Sequence, residues 1–122
     1  MSKKILFADD DVNLIEVLQL KFKSAGYDTV EAYDGEEALI KMRAEKPDLV
    51  VMDITMPKMN GYTLVREMKS DETLKRIPII VLSGKDTMQD IFEIEGVETY
   101  LVKPFEFDDL LAKVKEKLGE DH

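Results

Sequence analysis

The sequence predicts an α/β fold: a doubly wound, five-stranded parallel sheet of strand order 2-1-3-4-5 with five helices. Three short apolar runs, rich in β-branched residues, are typical of strands covered on both faces: Ile5–Ala8, Leu49–Met52 and Ile79–Leu82. Segments with apolar residues at helical spacing lie between and after these runs. This alternation of strands and helices indicates a parallel sheet with helices on both faces and right-handed crossovers.

The first half of the chain has the pattern strand, helix, strand, helix. After the strand Ile5–Ala8, apolar residues at helical spacing predict a helix that ends at Gly26, a residue type that commonly terminates helices. The shorter and partly polar run Val30–Ala32 predicts a strand at one edge of the sheet. A short apolar stripe after the turn Asp34-Gly35 predicts the second helix.

The second half repeats this pattern. A third helix is predicted after Asn60-Gly61, and a short fourth helix over residues 87–95. Tyr100–Val102 predicts the second edge strand, and an apolar stripe from Phe107 to Leu118 predicts the last helix. With the two partly polar strands at the edges, the three apolar strands lie inside, which favours the flavodoxin-like order 2-1-3-4-5.

Size and composition limit the classes of protein that fit. The 122 residues suit one domain, residues 1–122, with a core of about 4–118. The formal net charge of −9 argues against nucleic acid or an anionic membrane as the primary partner, since both require clustered Lys and Arg. The absence of Cys excludes disulfides and thiolate chemistry. No run is long enough for a signal peptide or a membrane span, so we expect a cytoplasmic protein.

Acidic residues, two hydroxyl side chains and an ammonium group follow four of the predicted strands. In chain order they are Asp9, Asp10, Asp11, Asp53, Thr55, Ser83 and Lys103. Because parallel strands end at the same edge of a sheet, we expect most of these groups to converge there. Each residue alone has an ordinary structural explanation, and we expect Asp11 to cap the following helix or to lie in solvent. The combination predicts a functional site.

The chemistry of this set favours phosphoryl transfer. Adjacent carboxylates repel one another, and a hard divalent cation relieves the repulsion, so we predict a site for Mg²⁺, or for Mn²⁺ in its place. The metal and Lys103 would neutralise the oxygens of a phosphoryl group, and Ser83 would donate a hydrogen bond to it. Asp53, on the central strand, is the predicted nucleophile. The sequence has no Gly-rich phosphate-binding loop, so a nucleotide is not the evident donor.

At these positions the sequence resembles a response-regulator receiver domain, the phosphorylated half of two-component signalling. The resemblance extends from Ile5 to about Leu118, and it is closest to single-domain, chemotaxis-type members. Four segments carry it, in the expected order: Ile5–Asp11, Asp53–Gly61, Val81–Gly84 and Tyr100–Phe105.

The resemblance implies a metal site and a phosphoacceptor. The implied metal ligands are Asp9, Asp10, Asp53 and the backbone carbonyl of Thr55, and Asp53 is also the implied phosphoacceptor. The implied donor is a phosphohistidine on a sensor histidine kinase or on a histidine phosphotransfer protein. Such a domain is a switch and not an enzyme, since it promotes only its own phosphorylation and dephosphorylation.

The resemblance also implies a conformational switch. Lys103 would pair with the phosphoryl group, the bond before Pro104 would be cis, and Ser83 would move inward on phosphorylation. Tyr100 would then rotate to a buried position and reshape the face formed by the last two strands and helices. The output would be contact with an unidentified protein, made by a monomer or by a weak, phosphorylation-dependent dimer.

Two features bear on how this chain would differ from other receivers. The interval from Ser83 to Lys103 is slightly shorter than the family pattern, which predicts a short or shifted fourth helix. Thr55 and Lys85 occupy the two positions that tune the lifetime of the phosphoryl group in this family.

Three other classes of protein remain as alternatives. A Mg²⁺-dependent aspartyl-phosphate phosphohydrolase of the haloacid-dehalogenase type needs a second Asp two residues after the nucleophile, where this chain has Thr55. A receiver that acts only as an interaction module would not need the complete set of reactive residues. A flavodoxin-like electron carrier shares the strand order, but the chain has no Trp and no evident flavin-stacking loop. His122, the one histidine, lies in the tail and is an implausible phosphohistidine.

Overall fold

The computed structural model describes residues 2–84, 97 and 99–120. Its strands are β1 (Lys4–Ala8), β2 (Asp28–Ala32), β3 (Leu49–Asp53), β4 (Ile79–Ser83) and β5 (Thr99–Val102). The helices of the described residues are α1 (Val12–Ser24), α2 (Gly35–Glu45), α3 (Gly61–Ser70) and α4 (Phe107–Lys117). The helix predicted over residues 87–95, together with Lys85 and His122, lies outside the described residues.

The strands form one parallel sheet in the order β2-β1-β3-β4-β5, which confirms the predicted topology. Successive side chains of a strand point to opposite faces, so Ile5 and Phe7 of β1 belong to one core cluster and Leu6 and Ala8 to the other. Since all five strands run in the same direction, their carboxyl ends lie along one edge of the sheet.

Among the described residues, two helices pack on each face of the sheet. Leu39 of α2 and Leu64 of α3 are buried in the cluster on one face, while Leu18 of α1 and Leu110 of α4 are buried on the other. The interior strands β1, β3 and β4 are therefore buried on both sides, as their continuous apolar runs predicted. The sheet is held rigidly between two apolar layers, and its edge is a firm support for a site.

Local sequence signals mark where three of the described helices begin and where α1 ends. Asp11, Asp34 and Asn60 precede α1, α2 and α3, and each accepts a hydrogen bond from the backbone N–H three residues further on. The prediction that Asp11 caps a helix is thus confirmed. Gly26 follows α1 with φ of 97°, a left-handed conformation that favours glycine. Within the described part of the chain, no helix is both long enough and apolar enough to span a membrane.

Each strand is one or two residues longer than predicted, and two of them, β3 and β4, are longer at the carboxyl end. Asp53 and Ser83 were expected to follow their strands, but they are the last residues of β3 and β4. Their backbones remain in register with the neighbouring strands, Asp53 opposite Leu82 and Ser83 opposite Val102, so the ladder continues through them. Both side chains are therefore carried by regular strand backbone, which orients them more firmly than a loop would.

Tyr27 ties the start of β2 to the last described residue of the chain. Its hydroxyl donates a hydrogen bond of 2.8 Å to Oε1 of Glu120, and its ring contacts Phe22 of α1 edge-on at 5.7 Å. Phe22 in turn packs against Phe107 of α4, with their ring centroids 5.0 Å apart. Burial, reinforced by the Glu120 carboxylate, raises the pKa of Tyr27 from 10.0 to about 12.

We expect Tyr27→Phe to lower the free energy of unfolding by about 1 kcal/mol at pH 7, because a partly buried hydrogen bond is lost. The folded-state pKa of Tyr27 is raised, so this contribution is complete below pH 10.0 and is lost as the pH rises towards 12. Urea unfolding of both proteins across this range checks the prediction. A stability difference that stays constant from neutral pH to pH 12 would contradict it.

Candidate functional site

Three strands bring charged side chains to the carboxyl edge of the sheet. Asp9 and Asp10 directly follow β1, Asp53 ends β3, and Lys103 directly follows β5. The predicted convergence of these four residues is therefore observed. Asp9 is buried, Asp53 is half-buried and Asp10 is exposed, so the group opens from the protein interior towards solvent.

The carboxylate of Asp9 has partners on both oxygens. Its Oδ1 accepts a hydrogen bond of 3.0 Å from the backbone N–H of Asp11, in the turn that leads into α1. Its Oδ2 accepts a hydrogen bond of 2.6 Å from Nζ of Lys103. The side chain is only 3% exposed, and these contacts compensate part of the cost of burying its charge.

Lys103 joins Asp9 to Asp53. Its Nζ lies 2.6 Å from Oδ2 of Asp9 and 3.2 Å from Oδ2 of Asp53. The backbone of Lys103 is also fixed, since its N–H donates a 2.7 Å hydrogen bond to the carbonyl of Ser83 at the end of β4. The ammonium group is thus held between two carboxylates that would otherwise repel each other.

The pKa values of this pair have physical causes that can be separated. Burial raises the pKa of Asp9 above 3.8, and the hydrogen bonds from Lys103 and from the Asp11 amide only partly oppose it. Burial also opposes the charged form of Lys103, but the hydrogen bond and negative charge of Asp9, with those of Asp53, outweigh it and raise the pKa of Lys103. Lys103 is therefore charged at neutral pH, whereas the anionic form of Asp9 is less favourable than that of a solvated aspartate.

Asp10 completes a group that can hold a cation. Asp9, Asp10 and Asp53 each offer a carboxylate oxygen, and these three oxygens lie within 4.8 Å of one another. Mg²⁺ and Mn²⁺ take such oxygen ligands, and Mg²⁺ sites usually combine one or two carboxylates with water. A divalent cation would also relieve the electrostatic penalty on the buried Asp9. The residues present therefore fit the predicted metal.

Thr55 and Ser83 lie at the same edge of the sheet. Thr55 is exposed, two residues beyond Asp53, and its backbone N–H donates to Oδ1 of Asp53 over 3.4 Å. Ser83 is fully buried, and its hydroxyl donates to the carbonyl of Gly84 at 3.1 Å. Ser83 pairs with Val102 of β5, the residue that directly precedes Lys103.

Tyr100 lies on β5, and Pro104 is the second residue after that strand ends. Tyr100 of β5 is half-buried and packs against the core cluster that includes α2 and α3. The peptide bond between Lys103 and Pro104 is cis, the isomer that the family resemblance implies. A cavity of about 420 Å³ opens next to Lys103 and Pro104, lined also by Asp11, Leu14 and Phe105.

Sequence reasoning missed two features around these residues. The backbone N–H of Asp11 donates to the carboxylate of Asp9 and so helps to orient it, and only the position of Asp11 directly after the acidic pair hints at this contact. The cavity beside Lys103 depends on α1 meeting the segment after β5, a long-range contact with no local signal.

A protein-family model described as the response regulator receiver domain matches residues 5–115. Among curated relatives, the alkaline phosphatase synthesis transcriptional regulatory protein PhoP of Bacillus subtilis is 38% identical over 117 residues, 94% of this chain and 48% of that protein. The DNA-binding response regulator MtrA of Mycobacterium tuberculosis is 37% identical over 120 residues, 97% of this chain and 51% of that protein. The chain thus spans about half the length of these relatives.

A solved structure agrees with these matches. The receiver domain of the sensor histidine kinase PA1611 from Pseudomonas aeruginosa, which has a magnesium ion coordinated in its active-site cleft, superposes with a TM-score of 0.88. It is 26% identical, and the match covers 98% of this chain and 99% of that one. Together with the sheet order and the group of Asp9, Asp10, Asp53 and Lys103, these similarities show that the chain belongs to the response regulator receiver domain family.

Proposed function

We propose that residues 1–122 act as one receiver unit that accepts a phosphoryl group on Asp53 and signals the change to a protein partner. The observation that carries the proposal is the position of Lys103, whose Nζ lies 3.2 Å from Asp53 and 2.6 Å from the buried Asp9. A cation fixed beside one half-buried carboxylate, with two further carboxylates close by, suits a transferring phosphoryl group.

Asp53 is the proposed nucleophile. One of its carboxylate oxygens would form a bond to phosphorus while the bond between phosphorus and the imidazole nitrogen of a phosphohistidine breaks. The electron pair leaves with the imidazole nitrogen. Asp53 suits this role because it ends the central strand β3, is only 13% exposed in its side chain, and faces Lys103. Receiver domains are phosphorylated by histidine kinases, so a sensor kinase or a histidine phosphotransfer protein is the proposed donor.

Four residues would hold the metal. The proposed ligands are Asp9, Asp10, Asp53 and the backbone carbonyl of Thr55, with Mg²⁺ as the ion and Mn²⁺ as its substitute. When bound, the ion supplies positive charge that neutralises phosphoryl oxygens. The raised pKa of Asp9 supports the assignment, since burial leaves its anion in need of compensation. The magnesium ion reported for the PA1611 receiver supports it further.

Lys103 and Ser83 would respond to the new group. Phosphorylation adds about 1.5 to 2 negative charges and three acceptor oxygens to a side chain. The ammonium of Lys103 would pair with one oxygen, and the Ser83 hydroxyl would leave the Gly84 carbonyl to donate to another. Tyr100, half-buried on the neighbouring strand, would then move inward, and the surface around β5 would change. Phosphorylation would bias an existing equilibrium between two states.

The output of this switch is proposed to be a contact with another protein surface. PhoP and MtrA are named as transcriptional and DNA-binding regulators, and this chain spans about half of their length. The expectation that nucleic acid is not a direct partner of these residues therefore stays a prediction, based on the net charge of −9.

We expect Asp53→Asn to abolish phosphorylation, because an amide oxygen is too weak a nucleophile to form the adduct. The wild-type protein, incubated with acetyl phosphate and Mg²⁺, should gain a single phosphoryl group by intact mass. EDTA should prevent the gain, and hydroxylamine should reverse it. Asp28→Asn is the matched control: it removes one exposed carboxylate on β2, away from the site, and should be phosphorylated normally. An adduct that persists in Asp53→Asn would contradict the assignment.

We expect Lys103→Ala to bind Mg²⁺ while phosphorylation slows roughly 100-fold, because a preorganised positive charge next to Asp53 is removed. Intact mass gives the rate of phosphorylation, and calorimetry gives the Mg²⁺ affinity. Amide spectra recorded with and without the phosphodonor should also lose the changes around β5 that the wild-type protein shows. A Lys103→Ala protein with the wild-type rate and the wild-type spectral changes would refute the role of Lys103.

A further inference from the structure

The first residue of α2 contacts the loop that follows Asp53. A Cβ atom built on Gly35 would lie 1.9 Å from the carbonyl oxygen of Met59 and 2.7 Å from its Cβ. The N–H of Gly35 also points to the carbonyl of Pro57 at 3.5 Å. We call this contact between Gly35 and residues 57–59 the Gly35 seam. Only a residue without a side chain allows the two backbones to approach so closely.

The loop against which Gly35 packs is fixed on its other sides. Ile54 and Met56 are 3% and 7% exposed and belong to the core cluster. The N–H of Gly61 donates to the carbonyl of Ile54 at 2.7 Å, which closes the loop at the start of α3. Thr55 is exposed between the buried residues Ile54 and Met56. The position of its carbonyl therefore depends on the backbone of this loop, which is held by the core on one side and by the Gly35 seam on the other.

A second contact joins the start of α2 to the loop after Asp53. Asp34, which caps α2, places its Oδ2 3.7 Å from Nζ of Lys58, and its Oδ1 accepts the N–H of Glu37 at 2.8 Å. Lys58 itself has φ of 67°, and the loop makes a tight turn there, since the N–H of Met59 donates to the carbonyl of Pro57 at 2.7 Å. The start of α2 and the turn at Lys58 are thus built around one another.

We propose that Gly35 is a positioning residue for the phosphoryl site, which sets the place of the loop 54–60 and with it the carbonyl of Thr55, two residues after Asp53. The inference rests on the proposed function, since it assigns that carbonyl to the metal. Gly35 touches neither Asp53 nor the metal ligands through any contact described above, so its effect would be transmitted by Pro57 and Met59.

The size of the effect follows from geometry. To reach an ordinary contact of 3.4 Å, the Met59 carbonyl and the α2 backbone must separate by about 1.5 Å. A displacement of about 1 Å in a positioning element can cost roughly 100-fold in function. Alanine is a better helix former than glycine, so the substitution would not destabilise α2 itself. A loss of Mg²⁺ affinity would therefore come from the disrupted contact at the Gly35 seam.

The experiment compares Gly35→Ala with wild-type protein, using Mg²⁺ alone in calorimetry and acetyl phosphate with Mg²⁺ in intact mass. We expect the Mg²⁺ affinity to fall roughly 10- to 100-fold and the Mg²⁺ concentration for half-maximal phosphorylation to rise in parallel. The rate of phosphorylation at saturating Mg²⁺ should recover much of the wild-type value. A general loss of stability would not weaken Mg²⁺ binding while leaving this rate nearly unchanged.

Gly26→Ala is the matched control for stability. Gly26 also needs its backbone freedom, with φ of 97°, but a Cβ there meets no atom within 4 Å, and it lies at the opposite end of α1 from the site. This variant should melt at a lower temperature and keep the wild-type Mg²⁺ affinity.

A second pair of variants applies if Gly35→Ala fails to fold. Met59→Ala keeps the Cβ atom that faces Gly35 and the backbone preferences of a residue with a side chain. Met59→Gly removes this Cβ atom and makes the backbone of the loop more flexible. We expect Met59→Gly to bind Mg²⁺ severalfold more weakly than Met59→Ala.

The outcomes separate this inference from the proposed function. Wild-type protein that binds no Mg²⁺ overturns both. Wild-type protein that binds Mg²⁺, together with a folded Gly35→Ala variant of equal affinity, overturns the role of Gly35 only. If Gly35→Ala is unfolded, equal affinities in the two Met59 variants overturn it.

Discussion

The ammonium group of Lys103, held between the carboxylates of Asp9 and Asp53, is the interaction on which the site depends. Asp9 is almost fully buried, and removal of a partner from a buried charge is generally costly because the remaining charge has nothing to neutralise it. Lys103 compensates Asp9 only in part, since burial still raises the pKa of that carboxyl. This incomplete compensation supports the proposed site for a divalent cation.

Part of the negative charge of the molecule is concentrated at this edge of the sheet. The three carboxylates of Asp9, Asp10 and Asp53 with the ammonium of Lys103 carry a formal charge of −2, which one Mg²⁺ would cancel. A phosphoryl group on Asp53 would then bring back about 1.5 to 2 negative charges. Ser83 ends β4 and Lys103 directly follows β5, and these are the two residues to which the proposed function assigns the response. The electrostatic change thus reaches the two strands whose surface would transmit the signal.

Much of this arrangement could be predicted from the sequence. The strands and their order follow from apolar runs and their edges, and the convergence of Asp9, Asp53 and Lys103 follows from parallel topology alone. Local patterns could not show that Asp53 and Ser83 continue their strands, because that depends on pairing with neighbouring strands. Nor could they show the contact of Gly35 with Met59 or of Tyr27 with Glu120, which join residues far apart in the chain.

Chemical identification of the phosphorylated side chain tests the central claim most directly. Borohydride reduces an acyl phosphate to an alcohol, so reduction of the phosphorylated protein should convert one aspartate to homoserine. Peptide mapping by tandem mass spectrometry should locate that homoserine at position 53, beside the Lys103 ammonium. Homoserine at Asp9 or Asp10, or a phosphoryl group that resists reduction, would contradict the account.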